Sequence, residues 1–151
     1  MADKVQKPGY LISVFDNRCP RCRLGKIFKH RNAYNLKQTV VMNEKCPVCG
    51  QPTDLETGFY YGTGYVSYAL AVAISGVTFV AWLLTIGFSL EDSRFFWWMG
   101  INAVLLVVIQ PLIMRLSRSL WLSWFVKYDP DWKKHEVAES ERLVKEHQNN
   151  W

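Results

Sequence analysis

The run VSYALAVAISGVTFVAWLLTI, from Val66 to Ile86, contains no charged residue in 21 positions. Coiled as an α-helix at about 1.5 Å per residue, it reaches roughly 32 Å, the thickness of a bilayer's hydrocarbon core. A second uncharged run, FFWWMGINAVLLVVIQPLIM from Phe95 to Met114, has 20 residues and the same reach. The helices of a soluble bundle carry a continuous polar stripe, whereas these runs carry only scattered Ser, Thr, Asn and Gln. The pattern predicts a two-helix transmembrane hairpin over residues 58–114, turned by the short segment Gly87 to Arg94.

Charge sets the expected orientation. Residues 1–64 hold ten Lys and Arg, the connecting segment holds one, and residues 115–151 hold seven. Basic residues collect on the cytoplasmic side, so both termini are expected there, with Arg115, Arg118 and Lys127 directly behind the second span giving the strongest signal. The connecting segment, with Glu91 and Asp92 against Arg94, is net negative and suits the outer face. Phe59, Tyr60, Tyr61, Tyr65 and Tyr68 at one end, and Phe95, Phe96, Trp97 and Trp98 at the other, read as interfacial aromatic belts. Ala69, Ala73 and Gly76 share a helical face and predict a close approach of the second helix. Asn102 and Gln110 read as amide glue, within the hairpin or towards a partner, and Pro111 predicts a kink. Neither span carries a charge, which argues against a pump or a proton-coupled transporter.

Beyond Met114 the pattern changes. Leu116, Leu120, Trp121, Trp124, Phe125 and Tyr128 fall on one side of a helix, and Arg115, Ser117, Arg118, Ser119, Ser123 and Lys127 on the other. This predicts an interfacial amphipathic helix over residues 115–128, apolar face to the lipid and polar face to water, with a plain continuation of the second helix out of the membrane as the alternative. Asp129 followed by Pro130 reads as the start of a charged helical tail over 129–151.

Residues 1–57 read as a separate small unit with all four cysteines of the chain. Cys19-Pro20-Arg21-Cys22 and Cys46-Pro47-Val48-Cys49-Gly50 are separated by 23 residues. Two cysteines three apart can direct both sulfurs at one ion, and two such turns complete a tetrahedral shell. Short strand candidates, Lys26 to Phe28 and Thr39 to Met42, flank the turns, so the expected fold is a β zinc ribbon with Cys19, Cys22, Cys46 and Cys49 as ligands. A unit this small buries too little to fold alone, and binding of Zn²⁺ would supply its folding energy. Four thiolates leave no position open for a substrate water, which makes the zinc structural. The same ligands also describe a rubredoxin-like iron centre, and ligand type alone does not separate the two metals. Two disulfides or a thioredoxin-like redox pair are further alternatives, disfavoured by a reducing cytoplasm and by the doubled motif.

The whole chain of 151 residues and 17.6 kDa averages these parts into a mean hydropathy of −0.04 and a net charge of +5. No secretory signal is expected, since YLISVF at Tyr10 to Phe15 is too short for its apolar core. There is no Ser/His/Asp set, no phosphate-binding glycine loop and no paired carboxylate motif, and His30, His135 and His147 read as exposed. No enzymatic activity and no small-molecule substrate are expected. The basic cluster Arg18, Arg21, Arg23, Lys26, Lys29 and Arg31 suits anionic headgroups or an acidic partner more simply than nucleic acid.

CPRCRLGKIF, CPVCG, GFYYGTGYVSYAL and QPLIMRLSRSLWLSWFVKYDPDW occur here in that order around the hydrophobic hairpin. Over about residues 18–132 the chain resembles the bacterial membrane family called domain of unknown function 983. The resemblance implies a multi-pass protein of the bacterial cytoplasmic membrane whose ligands are Cys19, Cys22, Cys46 and Cys49. It implies an accessory, assembly or docking role beside another integral membrane complex, with a respiratory terminal oxidase as the candidate. Arg23 stands where some members of that family have glycine.

Overall fold

A computed structural model describes residues 8–87 and 93–137. Its elements are a short helix α1 (Tyr10–Phe15), a 3-10 turn (Phe59–Gly62), and two long helices, α2 (Thr63–Thr85) and α3 (Arg94–Phe125). Both long helices are long and apolar enough to cross a membrane. At 23 residues α2 is about 34 Å long, whereas the 32 residues of α3 reach about 48 Å, well beyond a bilayer core.

The excess length of α3 departs from the expected division into a span and an interfacial helix. Residues 115–125 continue the second helix without a break, and the helix runs through Pro111. The amphipathic pattern is real, but its polar side faces inward. Arg115, Ser117 and Ser119 are buried, while Trp124 and Phe125 are exposed. The cysteine-bearing unit packs on that polar side, so Arg115 and Ser119 find backbone and side-chain partners there, while the Ser117 hydroxyl donates to the Met114 carbonyl of its own helix.

The hairpin is joined by polar contacts near its middle. The Asn102 amide donates to Ser75 Oγ at 3.1 Å and accepts from Thr78 Oγ1 at 3.0 Å. Thr78 Oγ1 also reaches the Ser75 carbonyl of its own helix at 2.9 Å, and the two bonds to Asn102 fix which face of α2 meets α3. Phe79 and Trp98 meet edge to face at 5.0 Å further along. Ala69, Ala73 and Gly76 therefore lie away from α3: all three are exposed, and a methyl at Gly76 would meet nothing. The expected small-residue seam is not the one used.

The expected β zinc ribbon is not what forms. Among the described residues there is no β-strand, only isolated antiparallel bridges at Arg18 with Lys26, Phe28 with Met42, and Lys45 with Pro52. Ile27 and Lys29 pair with Asn43 and Val41 through two backbone bonds. The pairing goes no further: the Val41 amide turns back to the Gln38 carbonyl, and the Thr39 and Val40 carbonyls accept from Arg115 and Arg118 of α3.

The aromatic residues before α2 divide. Tyr61, Tyr65 and Tyr68 are exposed, as a belt requires, but Phe59 is buried against Trp121 and Phe125, with ring centroids 6.2 and 5.1 Å away. The Tyr60 hydroxyl donates to the Thr53 carbonyl. After α3, residues 130–134 form a turn where a helix start was expected, with the Asp131 amide donating to Asp129 Oδ1 at 3.0 Å. The rest of the expected charged helix lies outside the described residues.

Candidate metal centre

The core of the small unit is built around sulfur. Cys19, Cys22, Cys46 and Cys49 are buried together with Ile27, Phe28 and Phe59, and with Leu122 and Val126 from the end of α3. All four Sγ atoms lie within 4.8 Å of one another. Cys19 and Cys49 are 3.7 Å apart and Cys22 and Cys46 3.8 Å apart. With metal–sulfur bonds of about 2.3 Å, a regular tetrahedron has edges of about 3.8 Å, which these two separations match, and the remaining ones lie within 4.8 Å. A disulfide needs about 2.05 Å between sulfurs, and all four cysteines are free thiols.

Each pair is shaped by the same local fold. The Arg23 amide donates to the Cys19 carbonyl at 2.8 Å, and the Gly50 amide to the Cys46 carbonyl at 2.9 Å. The residue after each second cysteine then turns left-handed, at φ 57° for Arg23 and φ 70° for Gly50. Glycine reaches this region without strain and an L-residue does not. At Arg23 a second interaction holds the turn: its guanidinium stacks on the Tyr128 ring at 3.9 Å. Gly25 has a different constraint, because a methyl there would overlap Cys46 Sγ.

Packing four thiols into one buried cluster separates their proton affinities. Hydrogen bonding with Cys22 pushes the Cys19 thiol up, and the reciprocal bond holds Cys22 far below the ordinary thiol value. Cys46 is lowered to about 7, chiefly by its bond with Cys19, and Cys49 is raised by Cys22, Cys46 and burial against the lowering effect of Cys19. A four-thiolate metal site needs all four sulfurs deprotonated, so binding of a cation here would release protons. The four cysteines would hold the ion, and the ion would tie the two turns into one folded unit. The sulfur spacing suits zinc and iron alike.

The unit is bolted to α3. Arg115 is 4 % exposed, and its guanidinium donates to three carbonyls: Nε to Thr39 at 2.8 Å, Nη1 to Arg31 at 3.0 Å and Nη2 to Asn32 at 2.9 Å. Arg118 donates to the Val40 carbonyl at 3.0 Å, Ser119 to Asn17 Oδ1 at 2.8 Å, and Trp121 Nε1 to the Phe59 carbonyl at 2.8 Å. From the other side Arg21, also buried, donates to the His135 and Glu136 carbonyls and pairs with Asp129 at 3.5 Å. Hydrogen bonding from His135 is the main reason that the Asp129 carboxyl is held below its usual range.

The spacing of the cysteines points to the four residues that the fold brings together, but the docking residues do not stand where the amphipathic pattern places them. Arg115, Ser117, Arg118 and Ser119 are expected on a solvated face, and the signal that finds them is an arginine directly behind the apolar stretch of a helix longer than a membrane span requires. The basic cluster is likewise largely consumed within the protein. Arg18 and Lys26 pair with Asp16 at 2.6 and 2.5 Å, Arg21 is buried, and Arg23 stacks on Tyr128. Lys29, His30 and Arg31 remain exposed. Comparison of the chain with protein-family models, curated proteins and solved structures returned no significant match.

Proposed function

We propose that this chain is a non-enzymatic membrane protein in which a structural Zn²⁺ on Cys19, Cys22, Cys46 and Cys49 stabilises a small cytoplasmic unit. The hairpin holds this unit at the inner face of a bacterial cytoplasmic membrane, as an accessory, assembly or docking subunit of a larger integral membrane complex. The observation that carries the reading is the rigid mounting of a four-thiol unit on the extension of α3. A closed four-thiolate shell leaves no open coordination position, which suits a structural metal better than a catalytic one. The basic end regions and the net-negative turn support placing both termini in the cytoplasm.

The mounted unit also offers a surface to a partner. Helix α1 is fixed to α3 through Tyr10 and Ser123, whose hydroxyls are 2.9 Å apart. It buries Ser13 and Val14 and leaves Leu11, Ile12 and Phe15 63 to 69 % exposed. Contiguous apolar exposure of this kind marks an interaction surface. The motif resemblance adds a respiratory terminal oxidase as the candidate complex and rests on the quoted segments alone.

Purification in mild detergent followed by mass spectrometry tests the proposal. The tagged chain is expected to bring down an integral membrane complex, and Leu11→Asp with Ile12→Asp to lose it while keeping one metal per chain. Recovery of the chain alone, with no membrane complex diminished by its deletion, overturns the reading. The sulfur geometry also admits iron in a one-electron carrier. Stoichiometric zinc without thiolate-to-iron absorption removes that second reading.

A further inference from the structure

The two cysteine turns are alike in backbone but not in burial. Arg21 and Val48 hold the same position, third in Cys-Pro-x-Cys, yet Arg21 is 6 % exposed and Val48 42 %. The turn asks for no particular side chain there, and the partners that Arg21 finds lie in the segment 129–137 after α3. The Asp129 amide donates to the Arg21 carbonyl at 3.1 Å, and Arg21 Nη2 donates to the His135 and Glu136 carbonyls at 2.8 and 3.2 Å. The Asp129 carboxylate pairs with the same Nη2 at 3.5 Å. At its far end the segment reaches the second turn, where a Cβ on Gly50 would sit 3.8 Å from Val137 Cγ2. Between these ends Trp132 packs against the buried cluster that contains all four cysteines. A strap thus crosses from one cysteine turn to the other.

The strap is organised on its own. The Asp131 amide donates to Asp129 Oδ1, the Lys134 amide to the Asp131 carbonyl, and His135 Nδ1 lies 2.9 Å from Asp129 Oδ2. It can therefore move as one piece. Its fastening is weaker than the one on the other cover of the cluster, Leu122 and Val126 at the end of α3. There Arg115 donates from all three guanidinium nitrogens. Arg21 reaches the strap's carbonyls through Nη2, and its buried Nη1 has no partner among the described residues. Lifting the strap gives that donor to water, which offsets part of the bonds lost. A thiolate-bound ion leaves when a competing ligand or protons reach its sulfurs, and the strap is the cover that opens at lower cost. We propose that residues 129–137 are a latch on the metal centre with Arg21 as its catch, and that opening of the latch sets the rate at which the ion exchanges. The inference rests on the reading that the four cysteines hold a metal ion.

The test uses the full chain, purified in mild detergent and loaded with Zn²⁺. Zinc release to an excess of colorimetric chelator and amide hydrogen exchange are followed on the same samples. Arg21→Val gives the first turn the residue that the second already carries. It is expected to release zinc at least about 10-fold faster than the parent, the factor that loss of one hydrogen bond to a charged group corresponds to. Exchange at the Asp129 amide should rise with it, while the Cys46 and Gly50 amides, which donate inside the second turn, keep their protection. Asp129→Ala unfastens the latch from its own side without altering either turn, and should shift both readouts in the same direction. Release within about two-fold of the parent in both variants overturns the latch. So does faster release with an equal loss of protection at Cys46 and Gly50, which marks unfolding of the whole unit. A parent chain that takes up no stoichiometric metal overturns the metal reading itself, and the latch with it.

Discussion

Replacing Arg115 by Met tests whether the metal unit is mounted on α3 by one guanidinium. The substitution keeps side-chain length and apolar contact but removes three hydrogen bonds, of 2.8, 3.0 and 2.9 Å, from the Thr39, Arg31 and Asn32 carbonyls. Bonds to a charged group contribute about 1.5 to 3 kcal/mol each, so at the lower end the three sum to about 4 to 5 kcal/mol. Relief of the buried guanidinium's desolvation offsets part of this and leaves a net loss of about 3 kcal/mol. That raises the undocked population about 100-fold. The readout is amide hydrogen exchange in the full chain. Val41 donates to the Gln38 carbonyl and Asn43 to the Ile27 carbonyl, and both amides should lose about two orders of magnitude of protection in the variant. The Cys46 amide, bonded to the Gln51 carbonyl inside the second cysteine turn, should change much less. Arg115→Lys, a single-point donor, should fall between the two. Protection at Val41 and Asn43 within about five-fold of the parent would refute the reasoning, since that corresponds to under about 1 kcal/mol.

Other perturbations probe different parts of the structure. Cys22→Ser should abolish stoichiometric metal binding, and a strong chelator should do the same to the parent, with loss of exchange protection across residues 19–53 but not in α2; metal analysis and hydrogen exchange report both. Gly25→Ala places a methyl on Cys46 Sγ and should speed metal release to a colorimetric chelator, whereas alanine at Gly64, where a Cβ meets nothing, should not. Asn102→Leu removes both hydrogen bonds of the hairpin's polar contact and should lower its stability by about 1 kcal/mol, read as a reduced melting temperature in detergent. Asp54 is raised from its ordinary value by burial, against the attraction of Arg118, and its Oδ1 has no hydrogen-bond partner. A raised folded-state value means that its favourable contribution is present at low pH and lost as pH rises through that value. Asp54→Asn should therefore raise the melting temperature at neutral pH, and a lower one would mean that the Arg118 attraction outweighs desolvation.

The sequence by itself determined the parts whose signal is local. Charge-free runs long enough for a bilayer marked α2 and the first two-thirds of α3. The spacing of two Cys-Pro-x-Cys turns marked four cysteines whose sulfurs the fold brings within 4.8 Å of one another. Tertiary structure decided everything that depended on which surface an amphipathic segment faces. Residues 115–125 have a polar and an apolar side in either reading. Only the presence of the metal unit, with free carbonyls at Arg31, Asn32, Thr39 and Val40, makes the polar side the buried one. The strand pairing stops at Lys29 and Val41, where the Val41 amide closes a turn on Gln38 and the segment before it docks on Arg115 and Arg118. In the hairpin, a stripe of small residues and a pair of hydroxyls competed for the interface. Ser75 and Thr78 form it because Asn102 offers them hydrogen bonds, whereas Ala69, Ala73 and Gly76 stay exposed without leaving a polar group unsatisfied.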